Sequence, residues 1–266
     1  ITCRVGSSDV CSSDLPDPVM DVAVYPEQKG EEDKVALGLS KLHDEDPSFR
    51  VRNDSELKQI ILEGLGGLHV DVIIDRFKRK FDTNVILKAP KIPYRETITG
   101  KSDERYRYKK QTGGRGQYGE VYFRMEPMPR GEGFEFVDEI KGGVIPSRFI
   151  PAVEKGVIET MERGPLSKSK VIDVKVALYY GSFHTVDSSE MAFKMAASLC
   201  FKDCFLKAKP ILLEPIYTIS VKVPDTYTGD VMGDLSSRRG KIMGMEPSGV
   251  FQIVKAQIPL VELYQY

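Results

Sequence analysis

The apolar positions of this chain switch between two periods, and the switches divide it into segments. Between Pro18 and Pro90 the order is strand, helix, strand, strand, helix, strand. VMDVAVYPE alternates as a strand. In GEEDKVALGLSKLHDED, Val35, Leu39 and Leu42 share a helical face, with acids in the first turn where the helix dipole favours them. Short strands are predicted at 49–51 and 59–62 around an Asn53-Asp54 turn. A second helix is predicted at 68–81, with Arg76, Lys78, Arg79 and Lys80 in its last turns, and a strand at 84–87 closes the segment. That order is the ferredoxin-like split βαβ arrangement.

Pro90 and Pro93 mark the next boundary. Residues 91–211 read as a hairpin with a glycine-rich tip, a strand FEFVDEI and a helix IPAVEKGVIETMER. That helix is expected to bury Val153, Val157, Ile158 and Met161 on one face. A single strand VIDVKVALYY follows, alternating through Val171, Val174 and Val176. It leads through a second tip, GSFHTVDSSE, into the long helix MAFKMAASLCFKDCFLKA. Residues 212–266 repeat the first pattern: strand IYTISVKVP, helix 225–239, a hairpin around Pro247-Ser248-Gly249, and VELYQY opening a second helix. This last unit is expected to be truncated by at least one strand. The overall expectation is an α+β chain.

Composition narrows the class. The chain has 266 residues, 41% hydrophobic and 29% charged, and 38 basic residues against 39 acidic give a net charge of −1. That is ordinary for a soluble globular protein, and any surface for nucleic acid must be a local patch. No apolar run approaches the roughly 20 residues of a spanning helix, so no membrane partner is expected. The four cysteines form no disulfide framework; Cys200 and Cys204, one helical turn apart, read as reduced core thiols of a cytoplasmic protein. His43 and His69 have no clustered metal ligands and read as structural, so no metal is expected.

Residues 1–15, ITCRVGSSDVCSSDL, stand apart. They have no amphipathic period, carry the near-repeat Ser-Ser-Asp, and resemble a translated sequencing-adapter read-through. They are expected to be non-native and dispensable.

Two loops carry the candidate chemistry. In QTGGRGQYGEV, Gly113, Gly114, Gly116 and Gly119 permit close backbone approach, and Arg115 supplies a planar, permanently charged fork. Gly114, Gly116 and Gly119 spell G-x-G-x-x-G. A dinucleotide loop must open a helix, however, and here a strand follows. The kinase companions H-R-D and D-F-G are absent. The basic, aromatic approach TITGKSDERYRYKKQ suits a phosphate backbone better. In the second loop, His184 precedes Asp187-Ser188-Ser189-Glu190, which reads as a capping box opening the long helix. Open N–H groups there would favour phosphate. Ser182 and Ser188 flank His184, but no oxyanion loop accompanies them, which argues against nucleophilic catalysis.

GGRGQYG, EIKGGVIP, GSFHTVDSSEMAFKMAAS, LLEPI and TGDVMGDLSSRRG together resemble the C-terminal half of translation elongation factor G. LHDEDPSFRV and LEGLGGLHVDVIIDRFKRKF resemble its third domain. The resemblance implies a ferredoxin-like third domain at 16–90, an S5-like fourth domain with an unusual βαβ crossover at 91–211, and a truncated ferredoxin-like fifth domain at 212–266. It implies a monomer that partners the ribosome, with ribosomal RNA and the tRNA–mRNA pair at the decoding centre, and promotes translocation. The tip residues it points to are Gly113, Gly114, Arg115, Gly116, Gln117 and Tyr118, with Ser182, Phe183, His184, Thr185 and Val186. A P-loop needs G-x-x-x-x-G-K-[ST]; Gly100-Lys101-Ser102 supplies the second half, but Arg95 stands where the first glycine belongs. The chain itself is therefore expected to hold no cofactor and not to be an enzyme, while GTP and Mg belong to a full-length parent. A fragment of a paralogue acting in ribosome recycling or protection is the alternative.

Overall fold

The computed structural model describes residues 15–111 and 116–264. Residues 1–14 of the adapter-like stretch, and Gly113, Gly114 and Arg115 of the glycine tip, lie outside the described residues. Contacts divide the chain into two compact units: one takes the chain up to Pro93 together with Ile216–Tyr266, the other is Tyr94–Pro215.

In the first unit, strands β1 (Met20–Pro26), β2 (Arg50–Asp54), β3 (Gln59–Gly64) and β4 (Val85–Lys88) form an antiparallel sheet in the order β2-β3-β1-β4. Helices α1 (Glu32–Glu45) and α2 (Gly67–Phe81) supply the other layer. The predicted face of α1 is the buried one: Val35, Leu39 and Leu42 meet Val22, Leu62 and Phe77 in one core. The β2–β3 turn lies just past the expected Asn53-Asp54 position, because Asp54 Oδ1 accepts from the Glu56 and Leu57 N–H groups and so starts the turn. This is the ferredoxin-like order. A smaller sheet in the same unit pairs β12 (Ile216–Pro224), β13 (Lys241–Ser248) and β14 (Phe251–Pro259) in the order β12-β14-β13, under α5 (Thr228–Ser237). Its core is Val223, Leu235, Val254, Ala256 and Ile258. Leu260–Leu263, expected to open a helix, is a 3-10 turn.

The second unit is built on a four-stranded sheet, β6 (Ser102–Lys110), β7 (Gln117–Pro127), β10 (Val174–Ser182) and β8 (Phe134–Asp138), in the order β6-β7-β10-β8. β8 and β10 run parallel and are joined through α3 (Ile150–Met161), a βαβ unit whose return strand sits directly beside the first. α3 and α4 (Glu190–Lys207) cover one face. Phe123, Met125, Val176 and Leu178 from the strands meet Val153, Phe193, Phe201 and Phe205 from the helices, all buried. Cys200 and Cys204 are free and buried on the inner side of α4, as expected of core thiols.

Two expectations for this unit need correction. Ile158 is 42% exposed, whereas Gly156 and Thr160 are buried with Val153, Val157 and Met161. Ile158 stands five residues beyond Val153, about 140° around a 3.6-residue helix, and so leaves the face. VIDVKVALYY is not one strand either. Asp173 breaks it at φ 58° and buries its carboxylate, whose Oδ1 accepts from the Gly131 and Gly133 N–H groups. Lys170–Val171 therefore forms β9, which joins β5 (Arg95–Ile98) and β11 (Pro210–Leu213) in a separate small sheet ordered β11-β5-β9. The spacing of three between Val171 and Val174 is the trace of that break, since one strand would place them on opposite faces. Among the described residues, no helix is long and apolar enough to cross a membrane, and no group of three or more His, Cys, Asp or Glu side chains is arranged for a metal.

Candidate nucleic-acid interface

The hairpin β6–β7 and the segment between β10 and α4 meet at one end of the second unit. Pairing across β6–β7 runs without interruption from Ser102↔Met125 to Lys110↔Gln117, beyond the last β7–β10 pair at Glu120. β10 pairs with β7 out to Ser182↔Glu120, so the second loop emerges beside the first. Backbone bonds tie them. The Tyr118 N–H donates to Asp187 O at 2.9 Å, the Gly116 N–H to Asp187 Oδ1 at 3.2 Å, and Ser188 Oγ to Tyr118 O at 2.9 Å. Gly119 allows this seat: a Cβ there would stand 3.2 Å from backbone atoms of Ala192 and Phe193, in the first turn of α4.

Below the loops, Glu120 collects three side chains. It is 4% exposed. Ser182 Oγ donates to its Oε2 at 2.6 Å, Arg107 Nε to its Oε1 at 3.1 Å, and the Tyr118 hydroxyl lies 3.3 Å from its Oε2. Burial alone would raise this carboxyl; the bonds from Ser182, Arg107 and Tyr118 outweigh it and hold Glu120 below its ordinary value. Ser182 therefore does not face outward as a tip residue. Its hydroxyl is consumed by Glu120 and by Tyr118, 2.7 Å away.

His184 stands over this base. Its N–H donates to Ser188 Oγ at 2.8 Å, and its ring lies edge-on to Tyr118 with centroids 6.4 Å apart. Nδ1 accepts from the Asp187 N–H at 3.2 Å and the Val186 N–H at 3.4 Å, and stands 3.3 Å from Asp187 Oδ2. With Nδ1 engaged by this loop, Nε2 is the ring nitrogen left for a partner among the described residues. The side chain is 55% exposed. Phe183, Thr185 and Val186 are exposed beside it. Gln117 is partly covered, and its Oε1 accepts from the Tyr108 hydroxyl at 3.3 Å, which leaves its amide NH2 as the available donor.

The expected capping box is not formed as read. Ser189, not Asp187, caps α4: its Oγ accepts from the Ala192 N–H at 3.2 Å, with φ −144° and ψ 160°. Asp187 instead faces the hairpin and braces it. The helix N-terminus thus meets its own serine, and it is the loop before it that offers groups to a partner. Glu120 and Arg107 are not singled out by the sequence, and Asp187 and Ser188 read only as a cap and as a neighbour of His184, not as braces of the hairpin. The one local trace was a carboxylate, Glu120, next to buried Val121 in a β-rich run.

Three family models match nearly the whole chain: "Elongation Factor G, domain III" matches residues 15–89, "Elongation factor G, domain IV" matches 90–209, and "Elongation factor G C-terminus" matches 211–266. A crystal structure of a Thermus thermophilus protein superposes with a TM-score of 0.82 and is 42% identical; the match covers 95% of this chain and 38% of that one.

Proposed function

Because this chain belongs to the elongation factor G family and carries its domains III, IV and C-terminus, we propose that it is the ribosome-engaging part of a translational GTPase that moves tRNA and mRNA during elongation. The observation that supports this is the β6–β7 hairpin and the following loop held together by Asp187 and Ser188, which presents His184 with exposed neighbours at one end of the second unit. Such an end suits insertion between RNA strands. Donors at Gln117 and His184 meet phosphate or base edges, exposed Phe183 and Val186 exclude water, and Arg115 adds a bidentate phosphate fork. The role is positioning, with no proton transfer: Nδ1 of His184 is already engaged by its own loop, which leaves Nε2 for the partner.

The matched models contain no nucleotide-binding domain, so GTP and Mg are assigned to the rest of a full-length protein, as is hydrolysis. The partners are the ribosome and the tRNA–mRNA pair at the decoding centre, in the cytoplasm, with the protein acting as a monomer. Among the described tip residues, nothing favours the recycling or protection alternative.

The test uses a full-length elongation factor G carrying this sequence. His184→Ala should slow translocation while ribosome-dependent GTP hydrolysis stays nearly unchanged. Both activities falling together, or neither changing, would refute the assignment.

A further inference from the structure

The tip contacts leave one motif unused, Arg105-Tyr106-Arg107-Tyr108-Lys109-Lys110 on β6. The strand separates its side chains by face. Tyr106 and Tyr108 pack against the helix-covered core, while Arg105, Arg107 and Lys109 lie on the open face of the sheet. β6 is the edge strand and runs up to the hairpin tip. Alternate residues on a strand are about 7 Å apart, so these cations form a row leading away from the tip.

Their charges are largely uncommitted. Lys109 forms no ion pair among the described residues, and Arg105 reaches only the Tyr122 hydroxyl at 3.5 Å. Arg107 holds Glu120 but keeps 59% of its side chain exposed. Beside the row, Tyr122 meets Tyr179 and Tyr180 edge-on, with centroids 5.9 and 5.1 Å apart, and Tyr180 is 47% exposed. The acids of this face are engaged: Asp103 accepts from the Tyr179 hydroxyl, Glu126 pairs with Lys101, and Glu139 with Arg124. A row of exposed cations, in which Arg105 and Lys109 form no ion pair among the described residues, flanked by an exposed ring and with local carboxylates already matched, complements a polyanion that carries stackable bases.

We propose that the open face along β6 is a second RNA-contact surface, on which Arg105 and Lys109 hold phosphates of a single strand leading away from the tip and Tyr180 offers its ring to a base. This rests on the reading of the tip as RNA-contacting. The bland account, that β6 is charged only to keep a sheet edge from pairing with another chain, predicts no effect on RNA affinity.

The experiment titrates the purified, fluorescently labelled 266-residue chain with purified ribosomes, by anisotropy, across KCl from about 50 to 200 mM. Arg105→Gln/Lys109→Gln should bind more weakly, and its slope of log K against log [KCl] should be shallower by about 1.4, two single-strand phosphate contacts at roughly 0.7 each. Arg163→Gln/Lys202→Gln removes equal charge from the helical side and should keep the parental slope. Tyr180→Leu should weaken binding about fivefold or more without changing the slope, since stacking on one base is worth ~1–3 kcal/mol. Circular dichroism melts check that the exposed substitutions leave folding intact. A parental slope in Arg105→Gln/Lys109→Gln, or an equal loss in the helical-side variant, overturns the proposal. The His184 translocation assay reads the tip alone, so failure there and failure here are distinguishable.

Discussion

Glu120→Gln is the most direct probe of what holds the two tips together. The replacement keeps the side chain's size and removes its charge. In the native arrangement the carboxylate receives Ser182 at 2.6 Å and Arg107 at 3.1 Å, and bonds to a charged group contribute about 1.5–3 kcal/mol each. Two effects reduce that sum. Ser182 and Tyr118 remain bonded to each other at 2.7 Å, and Arg107, 59% exposed, returns to water without a burial penalty. The expected loss is therefore about 2 kcal/mol, below the 3–5 kcal/mol of a fully buried broken pair. The pH dependence follows from the sign of the perturbation. The folded carboxyl sits below its ordinary value of 4.5, so its contribution is fully present above that value and fades as pH falls through the depressed folded one. The parent–variant gap should stay constant from pH 8 to about 5 and shrink below it. The assay is urea unfolding with pulsed hydrogen-exchange mass spectrometry, read on peptides from β7 and β10 so that the other unit does not blur the transition. A gap under about 0.5 kcal/mol at pH 7, the range of ordinary surface substitutions, would refute the bracing role. So would a gap that does not change in acid.

Gly156→Ala should destabilise the second unit by about 1–3 kcal/mol, the usual range for overpacking, because a Cβ there would stand 2.5 Å from Lys194 O on the facing helix; a urea midpoint equal to the parent's would contradict the close α3–α4 approach. Native-state hydrogen exchange should open Ile216–Pro224 and Lys241–Ser248 before β7 and β10, since among the described residues the small sheet's fully buried core is Val223, Leu235, Val254, Ala256 and Ile258, and β12 and β13 are its edges. Equal protection of the two sets of strands would count against that ranking.

Periodicity in the sequence was enough to place β1, α1, α2 and β7, because in each the apolar spacing matches one geometry and the burial that follows is local. The ferredoxin-like order was legible for the same reason, and so was the hairpin that carries the glycine tip. What the chain alone could not reveal depended on partners far away in sequence. Asp173 turns a continuous β-rich run into two strands of different sheets because the Gly131 and Gly133 N–H groups, 42 and 40 residues distant, need its carboxylate. Asp187 and Ser189 both fit a cap by composition; the hairpin, through the Gly116 N–H 71 residues away, claims Asp187 and leaves the cap to Ser189. Ser182 reads as an outward tip residue until β10 pairs with β7 and sets it against Glu120. Local spacing determines which face a side chain takes. Only the folded sheet decides which polar groups arrive at that face to satisfy it, because a buried donor or acceptor must find its partner wherever the chain returns.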